Sequence, residues 1–502
     1  MKKITAILIL LSLILCGTFA CSKKTASGES YFSKENVVTS SFDGLGVEWG
    51  TYEDVNKTVK GSWDRVIASV DKLNPSLVRC MTNLDWFVVD FDDKDTEDLS
   101  DDTWNYSFNN KYMKNAGDVL DYCQAHGIRV AFGVWNVIGN ADPEKDLYKM
   151  IPNATSDLRW AKMIADLMEY LIKIKGYDCI RWFVNTNEPN NVGVIGSSKN
   201  AYNTYAKWEA GVRNVRRALD AVDLSSLDII GGDTTGIVGS TQYLPKVASN
   251  LKNVVHNYGL HMYVSNYDID NARYQNNLTK LYKNVQKKDK ALGRTKQMII
   301  WEAGLLDGKN VVTDCNAYIT NYSYGLRMAD YTVQSILSGI NGLVYWDLDD
   351  AMHFMYNEGG NTPKEWGMFS TLASATSAKQ EYRPWFHSTV LLTNIFRPGN
   401  TIYSASGGAD GVRTLATVSS DRTKGGFVAV NSTRFPVTEE FAIEETVKGS
   451  GKLYIYVYSQ NTLKLGADGF VVPNYVIDGS LNSKTKIEIP ASAVVFVSSE
   501  RI

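Results

Sequence analysis

Eight short apolar runs, each followed by a longer stretch of helical periodicity, recur between residues 41 and 397. The runs are Leu45–Trp49, Leu77–Met81, Arg129–Trp135, Ile180–Asn185, Asp228–Gly232, Gly259–Tyr263, Met298–Glu302 and Gly342–Trp346. Short continuous apolar runs read as strands buried on both faces, the pattern of a parallel sheet covered by helices. Between them, Trp160, Ile164, Leu167 and Leu171 share one helical face, and a helix over about 326–338 stops at Gly339. Eight strand–helix units are the count of a closed (β/α)8 TIM barrel. An open doubly wound sheet fits less well, because no glycine-rich phosphate loop follows an early strand.

After about Gly399 the pattern changes. Val412–Ser419, Phe427–Asn431, Phe441–Ile443, Leu453–Tyr458 and Lys486–Val497 are alternating or β-branched runs separated by Gly, Asp and Asn turns. They predict a small antiparallel β-sandwich. The expected fold class is therefore α/β: a (β/α)8 barrel over 41–397 with a C-terminal antiparallel β-sandwich over 398–502. The 502 residues leave room for both, and 52 Lys+Arg against 55 Asp+Glu give a net charge of −3, with no support for nucleic-acid binding. The acidic stretch 90–102 lacks the glycine and terminal glutamate of a calcium loop and reads as a solvated face. The lysines around 283–290 read as an exposed helix surface.

Residues 1–20, MKKITAILILLSLILCGTFA, form a secretory signal outside the fold. Cys21 follows Thr18-Phe19-Ala20 and precedes a polar stretch. The segment resembles a bacterial lipoprotein signal, although Thr18 stands where leucine is usual. The resemblance implies lipidation at Cys21, a tether over 21–40, export to the cell envelope or surface, and membrane contact only through the anchor. Cys80, Cys123, Cys179 and Cys315 are widely and irregularly spaced, without CxxC, and read as free thiols. Five histidines without HxH or HExxH argue against a metal-dependent amidohydrolase, and His126 and His256 read as structural. Neither a metal nor an organic cofactor is expected, and the chain is expected to be a monomer.

In a (β/α)8 barrel, chemistry sits at the C-terminal ends of the strands. The fourth run breaks at Asn185-Thr186-Asn187-Glu188-Pro189, and the seventh ends Trp301-Glu302-Ala303-Gly304. Two apolar strands that each end in glutamate project two carboxylates into one mouth. Glycoside hydrolysis needs such a pair, one protonated to donate to the departing oxygen and one ionised to attack or to activate water. An Asn-Glu-Pro tripeptide alone is a weak motif; its placement after the fourth strand, with Trp-Glu ending the seventh, carries the weight.

Asn187-Glu188-Pro189 and Trp301-Glu302 resemble the acid/base and nucleophile motifs of the clan A glycoside hydrolases, retaining enzymes built on this barrel. The resemblance covers roughly 41–397, and the sandwich is similar to the accessory domain of families 39, 30 and 79. The opening Phe42-Asp43-Gly44-Leu45-Gly46 makes the chain most like family 39 or a family 5 relative. The resemblance implies Glu188 as acid/base, Glu302 as nucleophile and Asn187 as the partner of a sugar 2-hydroxyl. It implies that Arg79 keeps the nucleophile ionised, that Tyr263 holds it, and that His261 contacts the acid/base or the sugar. Trp346 matches an aromatic floor for the sugar at the cleavage point. By position at strand ends, Glu48, Trp49, Trp135, Asn136, Asp233 and Asp347 join them, of which Glu48, Trp135 and Asn136 are taken as substrate-binding candidates. The stretch from Asp347 to about Thr376, with His353, Gly359, Gly360 and Trp366, reads as a rim loop. Trp135-Asn136 departs from the histidine that often ends the clan's third strand, which leaves sugar identity open.

The resulting expectation is a retaining β-glycoside hydrolase acting on oligo- or polysaccharide. The rival is a non-catalytic surface lipoprotein that captures glycan, for which no acid–nucleophile pair is needed. A transglycosylase sharing the same intermediate is a further alternative.

Overall fold

The computed structural model describes residues 26–50, 62–92, 94, 96–135, 156–190, 205–293, 295–350, 354–357, 360–363, 365–370, 381–449 and 451–502. Eight parallel strands close a barrel: β1 Gly44–Glu48, β2 Leu77–Thr82, β3 Arg129–Val134, β4 Ile180–Val184, β5 Asp228–Thr235, β6 Asn257–Val264, β7 Met298–Leu305 and β8 Gly342–Tyr345. They pair in chain order, and β8 closes on β1 through Gly342–Tyr345 against Gly44–Val47. A helix follows each strand: α1 Ser62–Leu73, α2 Lys111–Ala125, α3 Leu158–Glu169, α4 Tyr205–Ala221, α5 Ile237–Asn250, α6 Arg273–Ala291, α7 Tyr322–Leu337 and α8 Pro384–Ile395.

Local chemistry sets these boundaries. Asn110, Asp157 and Asn321 accept backbone N–H groups at the starts of α2, α3 and α7. Proline opens α8, where its missing N–H costs nothing. Beyond α7 the chain turns through Gly339 at φ +99°. The apolar face of α3 buries Trp160, Ile164 and Leu167, and Leu171 continues it into a π-helical turn.

The barrel interior is packed. Leu77, Met81, Ala131, Trp182, Val184, Ile230, Ile299, Trp301 and Val344 fill it, with the Trp182 and Trp301 rings meeting edge-on at 5.4 Å. Cys80, Cys123 and Cys179 are buried thiols, and none of the four described cysteines forms a disulfide. The acidic stretch 90–102 starts within a strand, Val88–Asp92, that pairs with Thr103–Tyr106, and its Asp102 pairs with Arg159.

The sandwich departs from expectation in three ways. Lys486–Val497 is two strands, not one: Thr485–Ile489 lies in a four-stranded sheet and Ala493–Ser498 in a seven-stranded one, and the chain crosses between them at Pro490, which cannot donate to a ladder. The sheets are not purely antiparallel, nor wholly C-terminal. Ala26–Phe32, read from its polar composition as tether, is a strand of the four-stranded sheet, parallel to Val437–Ile443. Val37–Thr39 likewise pairs with Thr401–Ser404. The N-terminal strand is fixed by Phe32, whose ring meets Phe427 edge-on while Phe427 stacks on Phe441 at 4.5 Å. It is also fixed by Ser30, which donates to the buried Glu439 carboxylate at 2.6 Å.

The seven-stranded sheet is buried on both faces. Phe427 and Ala429 face the four-stranded sheet, whereas Val428 and Val430 join the core formed with the barrel helices. Tyr458 donates to the Tyr322 carbonyl at the start of α7, and Arg413 reaches the buried Asp330 of that helix at 2.6 Å. The sandwich is thus a continuation of the barrel core.

Truncating Phe32 tests this assignment of the N-terminal strand. Phe32→Ala removes a fully buried ring and is expected to cost about 3–5 kcal/mol in urea unfolding. A tether residue would leave the midpoint unchanged.

Candidate active site

The polar residues at the strand ends are turned inward by irregularities in the ladder. Along β2, Leu77, Arg79 and Met81 share the interior face by simple alternation. On β7 the pairing with β6 skips from Leu260↔Ile300 to His261↔Glu302, so Trp301 is an extra, bulged residue. On β5, Asp233 is the extra residue between Gly232 and Thr234. Bulges re-aim side chains. Glu188 and Asp233 also have φ of +45° and +50°, an uncommon region for non-glycine residues, and the Glu188 amide donates to the Asp233 carbonyl at 3.1 Å. Tyr263 lies opposite Gly304, where a Cβ would stand 2.8 Å from its ring.

Arg79 is fully buried at the centre. Nη1 donates to Glu48 at 3.0 Å and to Glu302 at 2.8 Å. Nη2 donates to Asn187 Oδ1 at 2.7 Å and to Asp233 at 3.0 Å. Its guanidinium also lies 5.2 Å from the Trp135 ring centre. His261, equally buried, places Nε2 2.9 Å from Asp233 and Nδ1 3.0 Å from Glu188, with Glu302 at 3.4 Å. Tyr263 donates to the second Glu302 oxygen at 2.9 Å.

Burial disfavours a charged His261, but the Asp233 and Glu302 carboxylates and the hydrogen bonds outweigh it and lift the imidazolium to about 10. For Asp233, burial is likewise overcome by His261 and Arg79, and its carboxyl falls below the usual range. Burial pushes Glu48 up to about 8, helped by Glu302 and opposed by Arg79. Glu302 is raised by burial and by Glu188 and Asp233, while His261 and Arg79 pull it back. The Tyr263 hydroxyl is held well above its ordinary value by burial and by Glu302, so it remains a donor.

An aromatic wall borders these groups. Trp346 stands nearly perpendicular to Trp135, ring centres 6.0 Å apart, and Trp366 packs edge-on to Tyr263 at 5.7 Å. Lys309 lies 5.5 Å from the Trp366 ring centre, on a hairpin after β7. The Trp346–Asp347 peptide bond is cis. The Asp347 carboxyl is buried without a hydrogen-bond partner among the described residues, and burial beside Asp350 and Asp349 holds its pKa well above normal.

The structure therefore brings Glu188, Glu302, Arg79, Asn187, His261, Tyr263, Trp135 and Trp346 to one mouth. Glu48 is a correction: it is fully buried beneath Arg79, out of reach of a ligand, and supports the arginine instead of binding substrate. Among the described residues, every side-chain hydrogen bond of Arg79 and His261 goes to another side chain of this cluster. Asn136, His353, Gly359 and Cys21 lie outside the described residues. Sequence reasoning named Asp233 by position only, although it binds both cations; its signal was a polar residue after the Gly231-Gly232 pair. Lys309 was missed, and an isolated lysine in a loop gives no signal.

One atom each of Glu188, His261 and Glu302 lie within 4.8 Å of one another, close enough to share a metal ion. When the imidazole is charged, each of its nitrogens donates to a carboxylate, Nδ1 to Glu188 and Nε2 to Asp233.

No protein-family model and no curated protein matches this sequence. Solved structures do match. A glycoside hydrolase family 30 endoxylanase from Clostridium papyrosolvens C71 superposes with a TM-score of 0.59 at 13% identity, over 94% of this chain and 99% of that one. A monomeric β-xylosidase from Caulobacter crescentus CB15 gives 0.60 at 14% identity over 93% and 98% of the two chains. An endo-β1,6-glucanase gives 0.61 at 13% identity over 95% and 94%. At such identities the likeness is one of fold: this chain has the barrel-and-sandwich fold of clan A glycoside hydrolases. The family named among these structures is family 30; neither family 39 nor family 5 gains support from them.

The site predicts an alkaline decline in stability. His261 is held near 10 in the folded state, against about 6.5 unfolded. Its contribution is full below about pH 6.5 and is lost as pH rises through about 10. Glu48, raised to about 8, adds a decline between about pH 4.5 and 8 by the same sign. Urea midpoints measured from pH 5 to 10 are expected to fall, with a flatter slope above pH 7 in His261→Gln. Parallel profiles in the two proteins would contradict this.

Proposed function

We propose that this chain is a retaining β-glycoside hydrolase acting on oligo- or polysaccharide. The carrying observation is the opposition of Glu188 and Glu302, whose nearest oxygens lie within 4.8 Å at the barrel mouth. Retaining enzymes place their carboxyls about 5–5.5 Å apart, whereas inverting enzymes leave about 6.5–9.5 Å for a water. Glu302, with one oxygen on Arg79 and the other on Tyr263, attacks the anomeric carbon. Glu188 protonates the departing oxygen, then removes a proton from the water that releases the sugar. Asn187 Oδ1 is committed to Arg79, which aims the amide's two N–H donors at a sugar hydroxyl. Trp346 and Trp135 supply flat faces for the ring.

We read the chain as exported and lipid-anchored at Cys21, from the signal-like residues 1–20 and the cysteine that follows. The first described strand starts at Ala26, five residues on. At ~3.5 Å per residue this span reaches at most about 18 Å, so an anchored sandwich lies close to the membrane. The fold fits a family 30-like enzyme, which we read as a monomer; the sugar is to be found by assay.

Two experiments test the reading. A panel of xylans, mannans, glucans and aryl β-glycosides is expected to yield one cleaved substrate, with β-configured product first by NMR. Glu302→Gln should lower that activity by roughly 10³-fold or more. In Glu188→Ala, azide should restore turnover of an aryl glycoside and appear in a β-glycosyl azide. Glycan binding without cleavage anywhere on the panel would favour the capture protein.

Tyr263→Phe gives a third test. Loss of a donor to the ionised Glu302 raises the pKa of the nucleophile, so the acidic limb of the kcat/KM profile should move up by about one pH unit. An unmoved limb would remove Tyr263 from this role.

A further inference from the structure

A cavity of about 230 Å³ lies away from the catalytic mouth, on the seam between the start of α7 and the sandwich. Its walls include Asn321, Tyr322 and Ser323 from the barrel and Tyr458, Gln460, Asn461 and Ser492 from the sandwich. No acidic or basic side chain lines it. A neutral lining of amides, hydroxyls and aromatic rings matches a neutral, polyhydroxylated ligand, whose hydroxyls need donors and acceptors and whose ring faces need flat apolar surface.

The polar groups there are held ready. Asn321 Oδ1 is occupied by the Ser323 amide and hydroxyl at 2.9 and 2.7 Å, which leaves the Asn321 N–H donors directed away from that turn. Tyr458 donates to the Tyr322 carbonyl at 3.0 Å, and the two rings lie 5.8 Å apart. Tyr458 is fully buried, so the aromatic corner is rigid. Gln460 and Asn461 are exposed, and neither side chain makes a hydrogen bond among the described residues.

Position adds direction. The N-terminus of α7 lies at the barrel face where β7 ends, and β7 carries Glu302. The cavity wall formed by the start of α7 therefore lies toward the same end of the barrel as the catalytic mouth, with the β7–α7 connection between them. We propose that this seam cavity is a second glycan-binding site, which holds a distal sugar unit of the polymer whose cleavage is proposed above. This inference rests on that reading for the identity of the polymer, and it gives the sandwich a part in substrate capture.

Affinity electrophoresis separates the two. The Glu302→Gln protein is run through gels cast with soluble xylan, mixed-linkage β-glucan or β1,6-glucan. Retardation is expected in at least one gel, and Gln460→Ala/Asn461→Ala in the same background should weaken it about fivefold. Tyr322→Ala should weaken it similarly. In the active enzyme, the double variant should raise KM on that polymer several-fold while leaving kcat/KM on an aryl glycoside unchanged. Absence of retardation in every gel, equal retardation of the variants, or an equal loss on polymer and aryl glycoside would each overturn the proposal. Retardation that depends on Gln460 and Asn461, in a wild type that cleaves nothing, would uphold the site while the glycosidase reading falls.

Discussion

One buried guanidinium organises the mouth of this barrel. Arg79 has no contact with solvent, and removing such a charge from water costs several kcal/mol unless its donors are met. Its two Nη atoms are met by Glu48 of β1, Asn187 beyond β4, Asp233 of β5 and Glu302 of β7, while Nε has no partner among the described residues. Through Asp233 the network extends to His261 of β6, and through His261 to Glu188. Strand ends that are distant in sequence are thereby held in register by a single cation. Closing the barrel and assembling the site are the same event, and deletion of the arginine would leave several carboxylates facing one another in a low dielectric.

The same network divides protons. Arg79 and His261 supply two positive charges against the four carboxyls of Glu48, Asp233, Glu188 and Glu302. Asp233, bound to both cations, is held below the usual carboxyl range, whereas burial raises Glu48 to about 8. Arg79 and Tyr263 both donate to Glu302, whereas Glu188 receives the imidazole, so the two carboxyls stand in unlike surroundings.

The barrel was readable in the sequence because both faces of its strands are buried, which makes each strand a continuous apolar run. Leu77–Met81 and Met298–Glu302 carry that signal directly, and their terminal polar residues stand out against it. The inward aim of Asp233 was less legible, since it depends on a bulge that composition does not mark. Glu48 was misread for a related reason: position at a strand end does not say whether a carboxylate faces substrate or another charge. The N-terminal strand was missed because ASGESYF looks like linker. Only Tyr31 and Phe32 in it are large and apolar, and its partners lie some 400 residues away. The docking face of the sandwich was hidden similarly, as Val428 and Val430 alternate with residues facing the other way.

The position of Ala26–Phe32 has a consequence for biosynthesis. Its ladder partners are Ser406–Gly407 and Val437–Ile443, so the barrel is an insertion within the sandwich. A ribosome makes the first strand of the sandwich early and its neighbours last. Until then the strand is an unpaired edge, and the barrel face that meets Val428 and Val430 is uncovered. Both are surfaces on which unfinished chains associate. A chain with this topology cannot complete its fold domain by domain as it emerges; if it is exported, it suits a route that delivers it unfolded and lets the two ends meet after transfer.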